Sequence, residues 1–493
     1  MWNLVNILSG VEMMKKQAVN PYLPGYEYIP DGEPYVFGDR VYVYGSHDKF
    51  NGEVFCMNDY VCWSAPVDEL GNWRYEGVIY KKTQDPRNPD GSMYMYAPDI
   101  AQGRDGRYYL YYTLEMLGVM SVAVGDSPIG PFSYYGEIHY PDGTVVGEEK
   151  GDVYQFDPGV LVDDDGRVYL YTGFGPDIDR PEGTFIKGRS YAGCYCIELE
   201  SDMITIKEKP VCVIPQVFHE KGTGFENHAF FEASSIRKIN GIYYLVYSSF
   251  QSHELCYAVS KYPNRDFTYG GTIVSNGDIG LENWTMEKPD NYIGNNHGGM
   301  VEINGQWYIF YHRQTNRHSY SRQGCAEPLS FDEKGRIPQV EMTSCGLNGG
   351  PLKGKGRYSA AIACNLMSKD GAGHVALIRD YSGHPYFTQT GADREEKDDQ
   401  YIANMQDGAV AGFKYFDLRD TGEICLELSG NGEGEMQIST RLDGEPVVRI
   451  PVDAGKKHLS GKLTIPAGKT ALFFRFVGSG SVNFHGFELI ERK

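Results

Sequence analysis

The chain has 493 residues and a formal net charge of −20; 41% of its residues are hydrophobic, and it carries 38 tyrosines and 60 glycines. That charge argues against nucleic acid and anionic membrane surfaces as partners, because both are bound through basic patches. No apolar stretch approaches the ~18–20 residues of a membrane span, and abundant tyrosine and glycine with few helical patterns predict an all-β protein of two or three domains.

Residues 1–19 form an N-terminal extension. Met1 to Gly10 is mildly apolar but lacks a basic leader, and Lys15 and Lys16 follow it instead of preceding it. A true start at Met13 or Met14 fits this pattern, which predicts a cytoplasmic protein without an export signal.

From residue 20 to 342 one phrase recurs five times, a turn pair followed by an aromatic-rich strand. It reads Gly38-Asp39-Arg40-Val41-Tyr42, Asp105-Gly106-Arg107-Tyr108-Tyr109, Asp165-Gly166-Arg167-Val168-Tyr169, Asn240-Gly241-Ile242-Tyr243-Tyr244 and Asn304-Gly305-Gln306-Trp307-Tyr308. The aligned tyrosines step by 67, 60, 75 and 64 residues. That spacing suits a four-stranded blade with long loops, so five copies predict a five-bladed β-propeller.

Ten to twelve residues before each aligned tyrosine stands an ionisable group: Asp31, Asp99, Asp157, Glu232 and His297. Each precedes a short apolar run. If that run is the innermost strand of its blade, five such groups converge on one axial mouth. Such convergence is costly unless a ligand or a reaction uses it.

The glycine-rich stretch 343–357 is predicted to be a linker. Beyond it, residues 358–493 lose the phrase and show short alternating runs: Ile424–Leu428, Met436–Thr440, Val447–Val452, Leu463–Ile465, Ala471–Val477 and Val482–Leu489. These predict a β-sandwich that packs against the propeller. The acidic run 393–399 is expected to be a solvated loop. The ten cysteines are scattered and several lie in apolar strand patterns, so buried free thiols are expected rather than disulfides or a zinc site.

Convergent carboxylates in a mouth lined by tyrosine and tryptophan suggest glycoside hydrolysis. One carboxylic acid protonates the leaving oxygen, and a second carboxylate activates water or attacks the sugar. Aromatic faces offer a platform for the sugar ring.

The propeller resembles glycoside hydrolase family 43, whose five-bladed members act on arabinose- and xylose-containing glycans. The resemblance rests on Asn20-Pro21-Tyr22-Leu23-Pro24-Gly25 with Pro30-Asp31-Gly32, on Tyr96-Ala97-Pro98-Asp99, on Phe156-Asp157-Pro158-Gly159 and on Phe231-Glu232-Ala233-Ser234. It implies that Asp31 is the general base, Glu232 the general acid and Asp157 the acid that raises the pKa of Glu232. His297, in Asn295-Asn296-His297-Gly298, matches an axial histidine that in relatives faces a calcium ion or a water cluster; no organic cofactor is implied. Arg322 matches a late arginine that reaches the substrate. His47, Asp48 and Tyr96 are expected to line the pocket, with Trp63 and Trp73 as further stacking candidates, and Asp99 is read as structural.

Asp31-Gly32, Tyr96 and Glu232-Ala233-Ser234 depart from the commonest family pattern. The second domain resembles a family 6 carbohydrate-binding module through Tyr401 to Gly408, Gly412 to Phe416 and Ser481 to Phe487, without any tryptophan. The sequence therefore predicts an inverting exo-glycosidase that releases terminal α-L-arabinofuranosyl or β-D-xylosyl residues from hemicellulose-derived oligosaccharides. It leaves open a galactosidase, galactofuranosidase or endo-arabinanase on the same fold, a non-catalytic sugar-binding propeller, and a homo-oligomer.

Overall fold

The computed structural model describes residues 16–176, 187–397, 399–453, 455–465 and 468–492. The leader-like segment Met1–Gly10, the starts at Met13 and Met14, and Asp398 of the acidic run lie outside them. The first unit is an antiparallel propeller whose blades begin with inner strands Glu33–Phe37, Asp99–Gln102, Gly159–Val162, Phe230–Ile239 and Met300–Ile303. The repeated phrase forms the hairpin turn and the second strand of every blade. Its registers agree: Tyr35 pairs Tyr42, Ala101 pairs Tyr109, Leu161 pairs Tyr169, Arg237 pairs Tyr244 and Val301 pairs Tyr308.

Four blades have four strands each, whereas the fifth has three among the described residues, ending with Gln323–Leu329. The flank of that last strand is taken by residues from the beginning of the propeller. The Tyr22 N–H donates to the Gly324 carbonyl at 3.2 Å, and the Asn20 side chain exchanges bonds of 2.9 and 3.0 Å with the Ala326 backbone. A bridge between Gly32 and Gly298 completes the ring from the inside.

The common register sorts the channel into layers. Two residues before the paired position stand Glu33, Asp99, Gly159, Ser235 and Gly299. Glu33 Oε2 accepts from Ser235 Oγ at 3.0 Å and from Arg237 Nη2 at 2.9 Å. Gly299 makes room for this cluster, since a Cβ there would stand 2.4 Å from Glu33 Oε2. Asp99 belongs to this deeper layer and not to the mouth. Its carboxylate accepts from Tyr35 Oη at 2.7 Å and from the Val160 N–H at 2.6 Å, joining three blades. Burial, with the Glu33 charge second, pushes the Asp99 pKa up to about 7.

The second unit is a sandwich of two six-stranded sheets. Its core gathers Phe413, Phe416, Phe474, Phe476, Phe484 and Phe487 with Leu426, Ile424 and Met436. In the run Leu463–Ile465 the two end residues are buried, but it is not a strand; the strand there is His458–Lys462, a polar edge whose residues alternate between exposed and half-buried. An edge strand with one face in water carries no apolar alternation to read.

The glycine-rich stretch is packed rather than a free tether. Leu352–Lys353 and Gly356–Ser359 already pair with sandwich strands, and the Ser344 N–H donates to the Lys414 carbonyl at 2.7 Å. The acidic run is docked as well. Asp393 accepts from the Phe50 N–H at 2.6 Å, and Arg394 reaches the buried Glu27 carboxylate at 3.1 Å. All ten cysteines are free thiols and seven of them are buried. Cys194 and Cys196 fall on one face of their strand in the same core cluster.

Candidate active site

Asp31, Asp157 and His297 each stand four residues before the register position of their blade, just ahead of its inner strand, and so form one ring at the mouth. In blade four the residue at that count would be Ala233. A bulge intervenes: Ser235 pairs Val246 but Glu232 pairs Ser248, so one extra residue turns Glu232 into the ring. Ala233 takes a φ of 71° to make it, and Asp31 and Asp157 stand at φ 58° and 45°. Non-glycine residues held in the left-handed region cost of order 1–3 kcal/mol each and cluster at functional sites.

These residues line a cavity of about 420 Å³. One wall is aromatic, running Tyr96–Phe156–Phe174–Phe231 with successive ring centroids 5.4, 5.1 and 5.2 Å apart. Phe55, Cys56, Asn295, Arg322, His253 and, from the sandwich, His374 complete the lining, and the His253 ring lies 4.8 Å from that of Phe231.

Arg322 organises the charge. It donates to Asp31 Oδ1 from Nη1 at 3.0 Å, and to Asp48 from Nε at 2.9 Å and from Nη2 at 3.0 Å. His312 donates from Nε2 to the Asn295 carbonyl at 2.8 Å, which leaves Nδ1 to accept the Asp31 N–H at 3.3 Å. Burial opposes ionisation of Asp31, but the Arg322 guanidinium, His312 and His297 together outweigh burial and hold the carboxyl well below the usual range.

Glu232 is the counterpart. Among the described residues none hydrogen-bonds its carboxyl, and burial, then the Asp157 and Asp31 charges, raise its pKa well above the ordinary value. The two carboxyls are thus shifted in opposite directions, Glu232 upward and Asp31 downward. Asp157 accepts the Ala233 N–H at 3.2 Å, and its Oδ2 stands 3.4 Å from His297 Nδ1. Burial raises Asp157 and His297 partly offsets it. Burial opposes the charge of His297, but Asp157 pushes its pKa up to about 9.

Asp31, Asp157, Glu232, Tyr96, Arg322 and His297 are thus brought together. His47 and Asp48 are not at the cavity. Asp48 stands behind Arg322, and His47 turns the other way to Glu27 Oε1 at 3.0 Å and Arg394 at 2.9 Å. Trp63 donates to Glu27 at 2.8 Å and Trp73 packs on Tyr22, so both are core. His253, His312 and His374 went unnoticed in the sequence. His312 had a faint signal, ending the second strand of blade five as Asp31 opens blade one.

His297 Nε2 and Glu33 Oε1 are buried without a protein partner. A nitrogen and one carboxylate oxygen do not make a cage for calcium, which takes six to eight oxygens.

A propeller mouth that gathers two carboxyls in opposed electrostatic surroundings beside an aromatic wall is the site of a glycosidase. The sequence model of glycosyl hydrolases family 43 matches residues 20–337, and the chain belongs to that family. A xylosidase/arabinosidase of Thermoclostridium stercorarium is 52% identical over 97% of this chain and 99% of its own. A xylosidase/arabinosidase of Bacteroides ovatus is 30% identical over 65% of this chain and 97% of its own. Among solved structures, a family 43 arabinoxylan arabinofuranohydrolase from Bacillus subtilis, in complex with cellotetraose, shares the fold at a TM-score of 0.51 and 20% identity over 97% of this chain and 99% of that one.

Proposed function

We propose that this enzyme removes terminal β-D-xylosyl and α-L-arabinofuranosyl residues from hemicellulose-derived oligosaccharides with inversion at the anomeric carbon. The observation that carries the reading is the contrast between two carboxyls in one cavity: Asp31 is paired with the Arg322 guanidinium at 3.0 Å, whereas Glu232 has no hydrogen-bond partner among the described residues and burial, then the Asp157 charge, shift its pKa upward. The names of the two xylosidase/arabinosidase relatives support the sugar class.

The terminal sugar lies against the aromatic wall. Glu232 gives its proton to the glycosidic oxygen as the bond to the anomeric carbon breaks. Asp31 takes a proton from a water molecule, and that water attacks the opposite face of the ring. Asp157 and His297 position the acid: the Ala233 N–H bond fixes the bulge that presents Glu232, and the Asp157 charge keeps the proton on it.

The test is the hydrolysis of a β-xyloside followed by NMR. α-Xylose as the first product supports the roles given to Asp31 and Glu232, and β-xylose overturns them. Glu232→Ala should lose at least ~10²-fold on a nitrophenyl xyloside and less on a substrate with a more acidic leaving group. An equal loss on both would remove Glu232 from the role of acid.

The sandwich contributes His374 and Ala376 to the cavity. Binding of sugar at a second place on it, as its likeness to a carbohydrate-binding module suggests, would use the hollow lined by Tyr381, Tyr386, Tyr401, Asn404 and Asn483. Retardation of Tyr401→Ala and the parent protein in arabinoxylan gels compares the two; equal mobility discards this role.

A further inference from the structure

His228, Glu254 and Cys256 gather at the end of blade four where the strands Phe230–Ile239 and Leu255–Ser260 begin, in a cluster the mechanism does not use. Their ligand atoms lie within 4.8 Å of one another. His228 Nδ1 is 3.1 Å from Glu254 Oε1, Cys256 Sγ is 3.5 Å from that oxygen, and Sγ and Nδ1 are 3.9 Å apart. Around a tetrahedral zinc ion, with bonds of about 2.0 Å to nitrogen and oxygen and about 2.3 Å to sulfur, such donor pairs stand roughly 3.3–3.6 Å apart. The three observed separations straddle that range.

The local structure explains the convergence. Glu254 and Cys256 are two residues apart at the start of the strand Leu255–Ser260, so they face the same side. His228 comes from the approach to Phe230–Ile239 and is fixed there by the Tyr247 hydroxyl, which donates to its carbonyl at 2.7 Å. Glu254 Oε2 is held by the Ser249 hydroxyl at 2.6 Å and by the Ser252 hydroxyl, which aims Oε1 at the other two groups. Outer hydrogen bonds of this kind orient a ligating carboxylate. The His228 side chain is 33% exposed and its ring stacks on Tyr269 at 4.3 Å, so the cluster has an opening to solvent beside an ordered wall.

We propose that His228 Nδ1, Glu254 Oε1 and Cys256 Sγ form a site for a borderline transition-metal ion such as Zn²⁺, with water in the fourth position. Nitrogen, oxygen and sulfur donors together select zinc or cobalt over calcium or magnesium. Binding forms three metal–ligand bonds and releases the Cys256 thiol proton to solvent. The ion would tie the turn that carries His253, a cavity residue, to the strand that carries Glu232. This site is independent of the reading given for the sugar.

Titration of the full-length metal-free protein with Co²⁺ tests it, because a cobalt–thiolate bond absorbs in the near ultraviolet. The expected result is a saturable charge-transfer band that Zn²⁺ displaces. Cys256→Ser should abolish the band, and His228→Asn, at a half-exposed position, should weaken Co²⁺ binding at least ~10-fold. Cys212→Ser, at an exposed thiol outside the cluster, should leave both unchanged. No band in the parent protein, a band that survives Cys256→Ser, or one lost with Cys212→Ser overturns the proposal.

Discussion

Asp48 holds Arg322 by two side-chain bonds of 2.9 and 3.0 Å and accepts the Arg322 N–H at 3.0 Å, although Asp48 itself does not touch the cavity. The guanidinium thus reaches Asp31 with its direction already set. A bidentate arginine–carboxylate pair has a geometry that a single ion pair lacks.

Removing that grip should act on the base. In Asp48→Asn the guanidinium loses part of its bidentate anchor and with it its aim, and as it swings away Asp31 loses part of the field that keeps it ionised. The acid limb of the kcat/KM profile should move to higher pH, with kcat at neutral pH lower by about 10²-fold at most. An acid limb that stays in place would mean that Arg322 does not need Asp48.

Glu232 should burden stability in the very state proposed for its role as acid. Its folded pKa is raised, so the folded state holds the proton more tightly than the unfolded chain. Stability is therefore lost as pH rises from the unfolded value through the folded one. Glu232→Gln should melt higher than the parent at pH 8, and the gap should close near pH 4. Thermal melts at the two pH values check this; an equal gap at both would place the effect in packing.

Asp31 carries the opposite sign. Its folded pKa is depressed, so its contribution is present above the unfolded pKa and is lost as pH falls through the folded one. Asp31→Asn should therefore cost stability at pH 7 and cost less near pH 3.

The sandwich should tune the pocket. His374 is bound to the propeller by a bridge to Ile293, whose carbonyl accepts the Val375 N–H at 2.9 Å, and its ring centroid lies 6.2 Å from that of His253. His374→Ala should raise KM for xylobiose roughly 10-fold, the scale of one lost side-chain contact, and change kcat less. A fall in kcat with KM unchanged would place His374 in the chemistry instead.

The domain junction should be sensitive to one lysine. Lys414 Nζ lies 3.1 Å from Asp278, 3.0 Å from Glu341 and 3.8 Å from Asp290, and the lysine and both aspartates are buried. Lys414→Met leaves those aspartates unpaired and should cost about 3–5 kcal/mol in urea unfolding.

The repeated turn phrase made the blades legible, because a turn with its following strand is local chemistry. The ring of Asp31, Asp157, Glu232 and His297 followed from the same period. Asp99 does not follow that period: its offset of ten differs by one or two from the others, and in a pleated strand that shift selects another layer. The bulge at Ala233 explains why Glu232 works at an offset of twelve, yet nothing in Glu-Ala-Ser announces it. His47 and Asp48 adjoin each other in sequence, but alternation along the extended chain sends one to Glu27 and the other to Arg322. His374 was illegible because its place depends on how two domains dock, which no local pattern encodes.

The closure of the ring sets an order of events on the ribosome. Asn20 and Tyr22 find their partners at Ser344, Ala326 and Gly324, and Asp31 waits 291 residues for Arg322. Blades one to four can emerge and pair their own strands early. Until the fifth has been synthesised, Asp31 lacks its guanidinium partner and the cavity lacks Asn295, His297 and Arg322. The nascent chain is therefore silent towards sugar for most of its synthesis, and its activity should appear in one step after the residues around His374 have left the exit tunnel.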